Sequence, residues 1–426
     1  MPRALTGSDQ VLANELERTD ARLPIMFERE DTFFSQIEKR PVEVVNERSM
    51  VIPLELRPGG KSGHFSSNGG DMGRGSMPTY DKATIGTVEL IHRIEWTTRR
   101  KWATDSKRKA IVDAFRRDLA SSMDEFRRYI DCLCMTGGDG VLGTISAVDT
   151  AAGVDTLTMD SDGFGARLLR YNQDIRVFNA ALTTDRNEAD GDVDSTIASI
   201  DYPSKQITIP SVAGTIVTDK IVAQGLVSTP PVSLLGVPYH YSSASVGTWL
   251  GFDRSLVPEI RANRVNANGS ALTLPIPRLA INKIGDRIGL ESAKSKGRTI
   301  WCHPCQRAAY EELGFEAIQI NKSAKDEGLD LYFSDNMRIA GMPMKNSYSW
   351  NKKRMDLIDL SIWGRAEMHG IGWYKDDNGN RYFVIRGTSG GVATSNVAYI
   401  VVSFNTYINK PPAASYIDNL GIPSGY

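Results

Sequence analysis

The 426 residues carry 50 Lys and Arg against 51 Asp and Glu, with 41% hydrophobic and 24% charged residues, an ordinary balance for a globular chain of two or three domains. It excludes a disordered or fibrous protein, and a net charge of −1 excludes electrostatic gripping of nucleic acid by the whole surface while doing little to hold copies apart. The opening residues lack the apolar stretch of a secretory signal and no window approaches ~18 consecutive apolar residues, so no membrane contact is expected and the chain is read as cytosolic when made. Its four cysteines, Cys132-x-Cys134 and Cys302-x-x-Cys305, are then expected as reduced thiols.

In chain order, residues 1–48 begin with two helical patterns, near Ser8 to Thr19 and near Pro24 to Lys39. The second carries Phe27, Phe33, Phe34 and Ile37 without a partner in its own segment, which marks an arm that packs on the body or on a neighbouring copy. SMVIPLELR (49–57) and TIGTVELIHRIEWT (84–97) alternate apolar and polar residues as half-buried strands do. Seven glycines between Pro58 and Pro78 give the hairpin they form a pliable tip. Gly60-Lys61-Ser62 is not a phosphate loop, because Glu55 stands where that motif needs glycine.

From Asp105 to Cys134 runs one uninterrupted helical pattern, with Ile111, Val112, Phe115, Leu119, Met123, Phe126, Ile130 and Leu133 on one stripe. Asp113 faces Arg116 and Arg117, and Asp124 faces Arg127 and Arg128, at ion-pair spacings on the other face. At ~1.5 Å per residue this spine would span ~45 Å. Between about Val141 and Gly225 short Thr-, Ile- and Val-rich runs, VLGTISAV, DTLTMD, DIRVFNAAL, TIASID and KQITIP, predict an inserted β module, a small barrel or sandwich. Asp185, Glu188, Asp190, Asp192 and Asp194 depart from the ligand order of a calcium loop and are read as a solvated acidic loop. Beyond Leu226 the pattern is mixed: a helix over Ile276 to Leu290, a buried strand RTIWC (298–302), and a helix from Pro304 that Gly314 closes. MDLIDLSIW, EMHGIGWYK, RYFVIRG and AYIVVSFNTYI return to strands, with Asp376-Asp377-Asn378-Gly379 as a hairpin turn.

Chemistry is sparse. Cys302-His303-Pro304-Cys305 is the most site-like group and leaves three readings open: a structural turn, a redox pair, or half of a zinc site that Cys132 and Cys134 are badly spaced to complete. The deaminase pattern fails because Ala308 stands three residues after Cys305. His64, His92, His240, His303 and His369 fall in no triad or ligand motif, so neither a cofactor nor a catalytic residue is assigned.

The order of these elements, with RTIWCHPCQRAAYEEL, the Gly341-Met342-Pro343 step and the block SNVAYIVVSFNTYINKPPAASYI, resembles the major capsid proteins of tailed bacteriophages, the Hong Kong 97-like (HK97-like) fold. The resemblance implies an α+β chain with an N-terminal arm (1–48), an extended-loop hairpin (49–98), a peripheral domain with the spine helix (99–140), an inserted β-rich, barrel-like domain (141–225), an axial domain (226–386) and a closing peripheral segment (387–426). It implies a non-enzymatic subunit that assembles as hexamers and pentamers into an icosahedral virion shell in the bacterial cytoplasm. The shell would enclose double-stranded DNA without reading its sequence, and its partners would be portal, scaffold or cement proteins. Phe27, Phe33, Phe34, Arg57, Lys61, His64, Arg74, Arg127 and Arg128 are the expected intersubunit contacts. Lys61 and Asn396 match the family's crosslinking pair, but Ser403 replaces the Glu that takes up the lysine proton, so isopeptide formation is expected to be slow. Two readings stand against this one: an encapsulin-type nanocompartment shell, and a thiol-redox or metal enzyme built on Cys302 and Cys305.

Overall fold

The structure, a computed structural model, describes residues 33–37, 39–41, 44–46, 49–64, 73–97, 114–159, 164–191, 193–289, 291, 297–319, 338–339, 341–375, 379–381, 383–386 and 392–425. The helix expected near Ser8 to Thr19, residue Phe27, the spine before Ala114, the tip from Phe65 to Met72 and the turn residues Asp376 to Asn378 lie outside them. The chain divides into two compact units.

The first unit comprises residues 1–35, 87–131 and 367–404. Its frame is the strand Val88–Thr97 paired antiparallel with the closing strand Val392–Ile408 over ten residues, from Ser395 opposite Thr97 to Phe404 opposite Val88. β-Branched and aromatic residues alternate along both, so Ala398, Ile400, Val402 and Phe404 share a buried face. The spine helix, Ala114–Leu133, buries Phe126 and Ile130, and the Phe126 ring stacks on His92 at 5.8 Å. Its opposite face departs from the expected pairing: Asp124 and Arg127 stay exposed and close no ion pair among the described residues.

The arm corrects the sequence reading. Phe34–Gln36 forms a single 3-10 turn and Lys39–Pro41 a strand, where a continuous helix was expected. Asp131 Oδ1 accepts the amides of Phe33 and Phe34, both at 3.0 Å, and the Phe34 ring lies 5.3 Å from Phe404. A buried carboxylate from the spine outweighs the local helical preference of the arm.

The second unit comprises residues 36–86, 132–366 and 405–426. Its β-rich part orders seven strands as Ser199–Asp201, Gln206–Pro210, Val154–Met159, Val141–Ala151, Lys220–Ala223, Asp174–Phe178 and Ser195–Thr196. The two end strands are consecutive in sequence. Ile197 N donates to Gln173 O at 2.9 Å on one side and Ala198 N to Thr208 O at 2.8 Å on the other, which closes the sheet into a barrel without free edges. Leu142, Ile145, Leu157, Met159, Ile175, Val177, Ile207, Ile209 and Ile221 fill it. The acidic stretch is not simply solvated, because Asp185 and Asp194 (2.6 Å) both bind the buried Arg176 guanidinium. A buried arginine requires such counter-charges.

A six-stranded sheet follows, in the order Asn263–Asn266, Ser415–Asp418, Met355–Asp359, Arg298–Cys302, Met342–Asn346 and Arg338–Ile339. Arg298–Cys302, central and buried at all five residues, runs antiparallel to Met355–Asp359 and parallel to Met342–Asn346. Ala280, Ile281 and Ile284 of the helix Pro275–Ile288 join Ile300, Met344, Leu357 and Ile417 in one core. The helix Pro304–Gln319 continues past Gly314, which is not in the left-handed conformation of a helix stop. One interior glycine costs only about 1 kcal/mol.

His240 is fully buried beside the end of the closing strand, its ring edge-on to Trp363 at 5.3 Å. Trp249 Nε1 can only donate, so His240 Nδ1 accepts it at 3.2 Å, and Nε2–H donates to Thr406 O at 3.1 Å. Burial pushes the imidazole down to about 3 from the ordinary 6.5. The unfolded chain therefore binds this proton between those values while the folded chain refuses it, so stability falls as pH drops below 6.5, by up to ~1.4 kcal/mol per pH unit from this group. Urea midpoints compared at pH 7 and pH 4.5 should fall less on acidification in His240→Gln than in the wild type; equal falls would contradict this assignment.

Candidate assembly surfaces

The hairpin pairs Ser49–Arg57 with Thr79–Gly86, from Ser49 opposite Gly86 to Arg57 opposite Thr79, with an irregularity between Glu55 and Arg57. Its root is packed: Ala83 and Ile85 are fully buried, and Thr84 N donates to Leu250 O at 3.3 Å. Arg57 Nε meets Glu259 Oε1 at 2.9 Å. Beyond Arg57 the packing stops. All described residues from Pro58 to His64 and from Gly73 to Lys82 are exposed, with Met77 at 92% and Tyr80 at 68%.

The tip nevertheless has a defined neck. Gly60 N donates to Ser76 O at 2.7 Å and Ser76 Oγ donates to Gly60 O at 2.9 Å, with Gly60 at φ +97°, a conformation that favours glycine. At Gly59 a Cβ would come within 2.6 Å of Pro78 Cδ. The glycines thus bring the two strands of the neck together and leave Met77 and Tyr80 without cover.

Asn405, which the sequence reading passed over, fixes the hairpin root. Its buried side chain donates from Nδ2 to Gly86 O at 2.8 Å and accepts, at Oδ1, the amides of Leu235 and Thr406, both at 2.9 Å. The only local signal was an Asn inside the apolar run AYIVVSFNTYI.

The expected contact residues separate into two groups. Lys61, His64, Arg74 and Arg127 are exposed. Phe33 and Phe34, expected at a subunit boundary, are instead buried in their own chain. Arg57 is bound to Glu259, and the half-buried Arg128 is engaged within the chain. For the crosslink pair, Lys61 is exposed on the hairpin tip and Asn396 is half-buried on the closing strand.

Cys302 and Cys305 have the wrong environment for nucleophilic or redox work. All four cysteines are buried and form no disulfide among the described residues, and burial, then Cys305, pushes the Cys302 thiol up to about 12. Burial also raises Cys305. A reactive cysteine needs its thiol shifted the other way. Among the described residues no three His, Cys, Asp or Glu side chains are grouped to hold a metal ion.

No family model matches the chain, and no curated protein matches it by sequence. Among solved structures it superposes on the Cyanophage A-1(L) capsid asymmetric unit with a TM-score of 0.58 at 10% identity, covering 95% of this chain and 96% of that one. The chain has a phage capsid-protein fold. The resemblance drawn from the sequence is borne out at this level. The capsid of a native GTA particle (TM-score 0.47, 10% identity, 95% and 94% covered) and the holo-SrpI encapsulin of Synechococcus elongatus (0.45, 8%, 99% and 99%) align over similar lengths but too loosely to refine it.

In this capsid-protein fold Asn405 anchors the hairpin root. Asn405→Leu strips a bond from Gly86 O and from Leu235 N and should lower the unfolding free energy by about 3 kcal/mol. A urea-denaturation loss under 1 kcal/mol would contradict the anchoring role.

Proposed function

We propose that this chain is the major capsid protein of a tailed phage, assembling as hexamers and pentamers into the icosahedral shell around its double-stranded DNA. The observation that carries the reading is a capsid-protein fold over 95% of the chain, at a TM-score of 0.58. The hairpin supports it: a packed root and a tip whose described residues are uncovered suit an element that laps a neighbouring copy. Shell interfaces are repeated many times, and obligate ones bury ~2,000–5,000 Å² each, so a few uncovered apolar groups per subunit count collectively.

On this reading residues 1–48 are the arm, 49–98 the extended loop, 99–140 and 387–426 the peripheral parts, 226–386 the axial part, and the barrel over 141–225 a decoration or brace. Lys61, His64 and Arg74 on the tip and Arg127 on the spine are the proposed subunit contacts. An autocatalytic crosslink between Lys61 and Asn396 should be slow. Ser403, in the place of a proton-accepting carboxylate, has a buried hydroxyl without a hydrogen-bond partner among the described residues and is a poor base. Portal, scaffold and cement proteins, assembly in the host cytoplasm, and DNA as the contents belong to the same proposal.

Deleting Lys61 to Ser76 removes the exposed tip and leaves the root contacts of Ala83, Ile85 and Asn405 in place. The variant should keep the circular dichroism spectrum and melting behaviour of a folded subunit and yield no shells in negative-stain micrographs. Normal shells from this deletion would overturn the lapping role.

A further inference from the structure

Arg254 is 5% exposed, yet no carboxylate lies within ion-pair distance of it among the described residues. It differs in this from Arg176 and Arg298, which are buried beside aspartates. Backbone bonds fix its place: Arg254 N donates to Gly247 O at 3.0 Å, and its own carbonyl accepts Arg261 Nε at 2.8 Å, so the side chain it holds is another cation. Nη2 donates to Tyr239 O at 2.8 Å, and the guanidinium carbon stands 5.6 Å from the centre of the Tyr239 ring. Nε is enclosed without an acceptor among the described residues. The adjacent Asp253 is engaged elsewhere, its Oδ1 accepting both the amide and the hydroxyl of Ser255 at 2.7 Å. One carbonyl and one ring face replace only part of the hydration that a buried cation gives up. Of the guanidinium nitrogens, Nη1 alone is neither bonded nor enclosed among the described residues, and it is the donor open to a partner.

The chain on either side of this arginine is apolar and uncovered. Val246, one residue before Gly247, and Leu256, two residues after Arg254, are each 74% exposed. An arginine set among uncovered aliphatics is the pattern of an interface hot spot, in which the apolar neighbours keep water from the polar contact. The hairpin carries the complement. Its register places Glu55 directly opposite Tyr80, so a carboxylate and an aromatic ring share one face of the ribbon. Both are exposed, and Glu55 pairs with no cation among the described residues.

We propose that Arg254, with Val246 and Leu256, is the socket on which the hairpin of a second copy lands. Glu55 of that copy supplies the missing counter-charge, and its Tyr80 covers the two aliphatics. The inference rests on the lapping hairpin proposed above and names where it lands.

Light scattering of the purified full chain against concentration gives the threshold for assembly. Arg254→Met and Glu55→Gln should each raise that threshold about tenfold, the loss expected for one charge-assisted bond. The double variant should also raise it about tenfold, because both substitutions remove the same bond. The urea midpoint of the unassembled chain should stay at its wild-type value in both single variants, since an apolar side chain in place of an uncompensated buried cation costs the fold little. Position 256 gives a second measurement that leaves Arg254 in place. With a benzophenone photocrosslinker at this exposed position, irradiated assemblies should join it to the Tyr80 segment of another copy. Thresholds unchanged in either single variant, an additive rise of about a hundredfold in the double variant, or crosslinks to other segments alone overturn the landing site and leave the shell reading standing. A wild-type chain that stays monomeric at every concentration overturns both.

Discussion

The posture of the hairpin depends on one buried amide. Asn405 satisfies the last carbonyl of the hairpin, the amide of Leu235 and the amide of Thr406 with a single side chain, and no apolar residue can hold three such groups at once. Ala83 and Ile85 then seat in the core, and the Arg57–Glu259 pair fixes the last supported residue. An exposed pair of this kind contributes little stability. Its use is to set where the support ends. Past it, the neck between Gly60 and Ser76 holds Met77 and Tyr80 away from their own chain.

Charge is managed locally, in keeping with a net charge of −1. Arg176 sits between Asp185 and Asp194, Arg354 pairs with Asp356 at 2.8 Å, and Arg298 lies 3.7 Å from Asp359, each inside a packed region. Such pairs are costly to break by removing one partner. His240 is held neutral by burial between an indole donor and a backbone acceptor, and it serves packing rather than chemistry.

Much of this was legible because it depends on local patterns. The alternation in SMVIPLELR and AYIVVSFNTYI, the Thr- and Val-rich runs between Val141 and Gly225, and the buried RTIWC strand all follow from period-two patterning, and the glycines between Pro58 and Pro78 announced an unsupported tip. What was missed depends on distant partners. Asn405 gains its role from groups 170 and 319 residues away, and the helix expected up to Lys39 yields to Asp131, 97 residues beyond Phe34. Asp185 and Asp194 looked solvated because the arginine that needs them lies on a neighbouring strand, although the arginine inside DIRVF was a visible sign that a counter-charge had to exist. Gly314 misled for the opposite reason: its stop signal was local, and continued helix on both sides overrode it.

A capsid-protein fold and a hairpin with a packed root and a tip whose described residues are uncovered are the features on which the proposed assembly with copies of itself rests. Cryo-electron microscopy of the full-length protein expressed alone or with its neighbouring genes tests that claim most directly. The account predicts closed icosahedral shells whose reconstruction shows this chain in rings of five and six. A stable monomer or small closed oligomer under both conditions would contradict it.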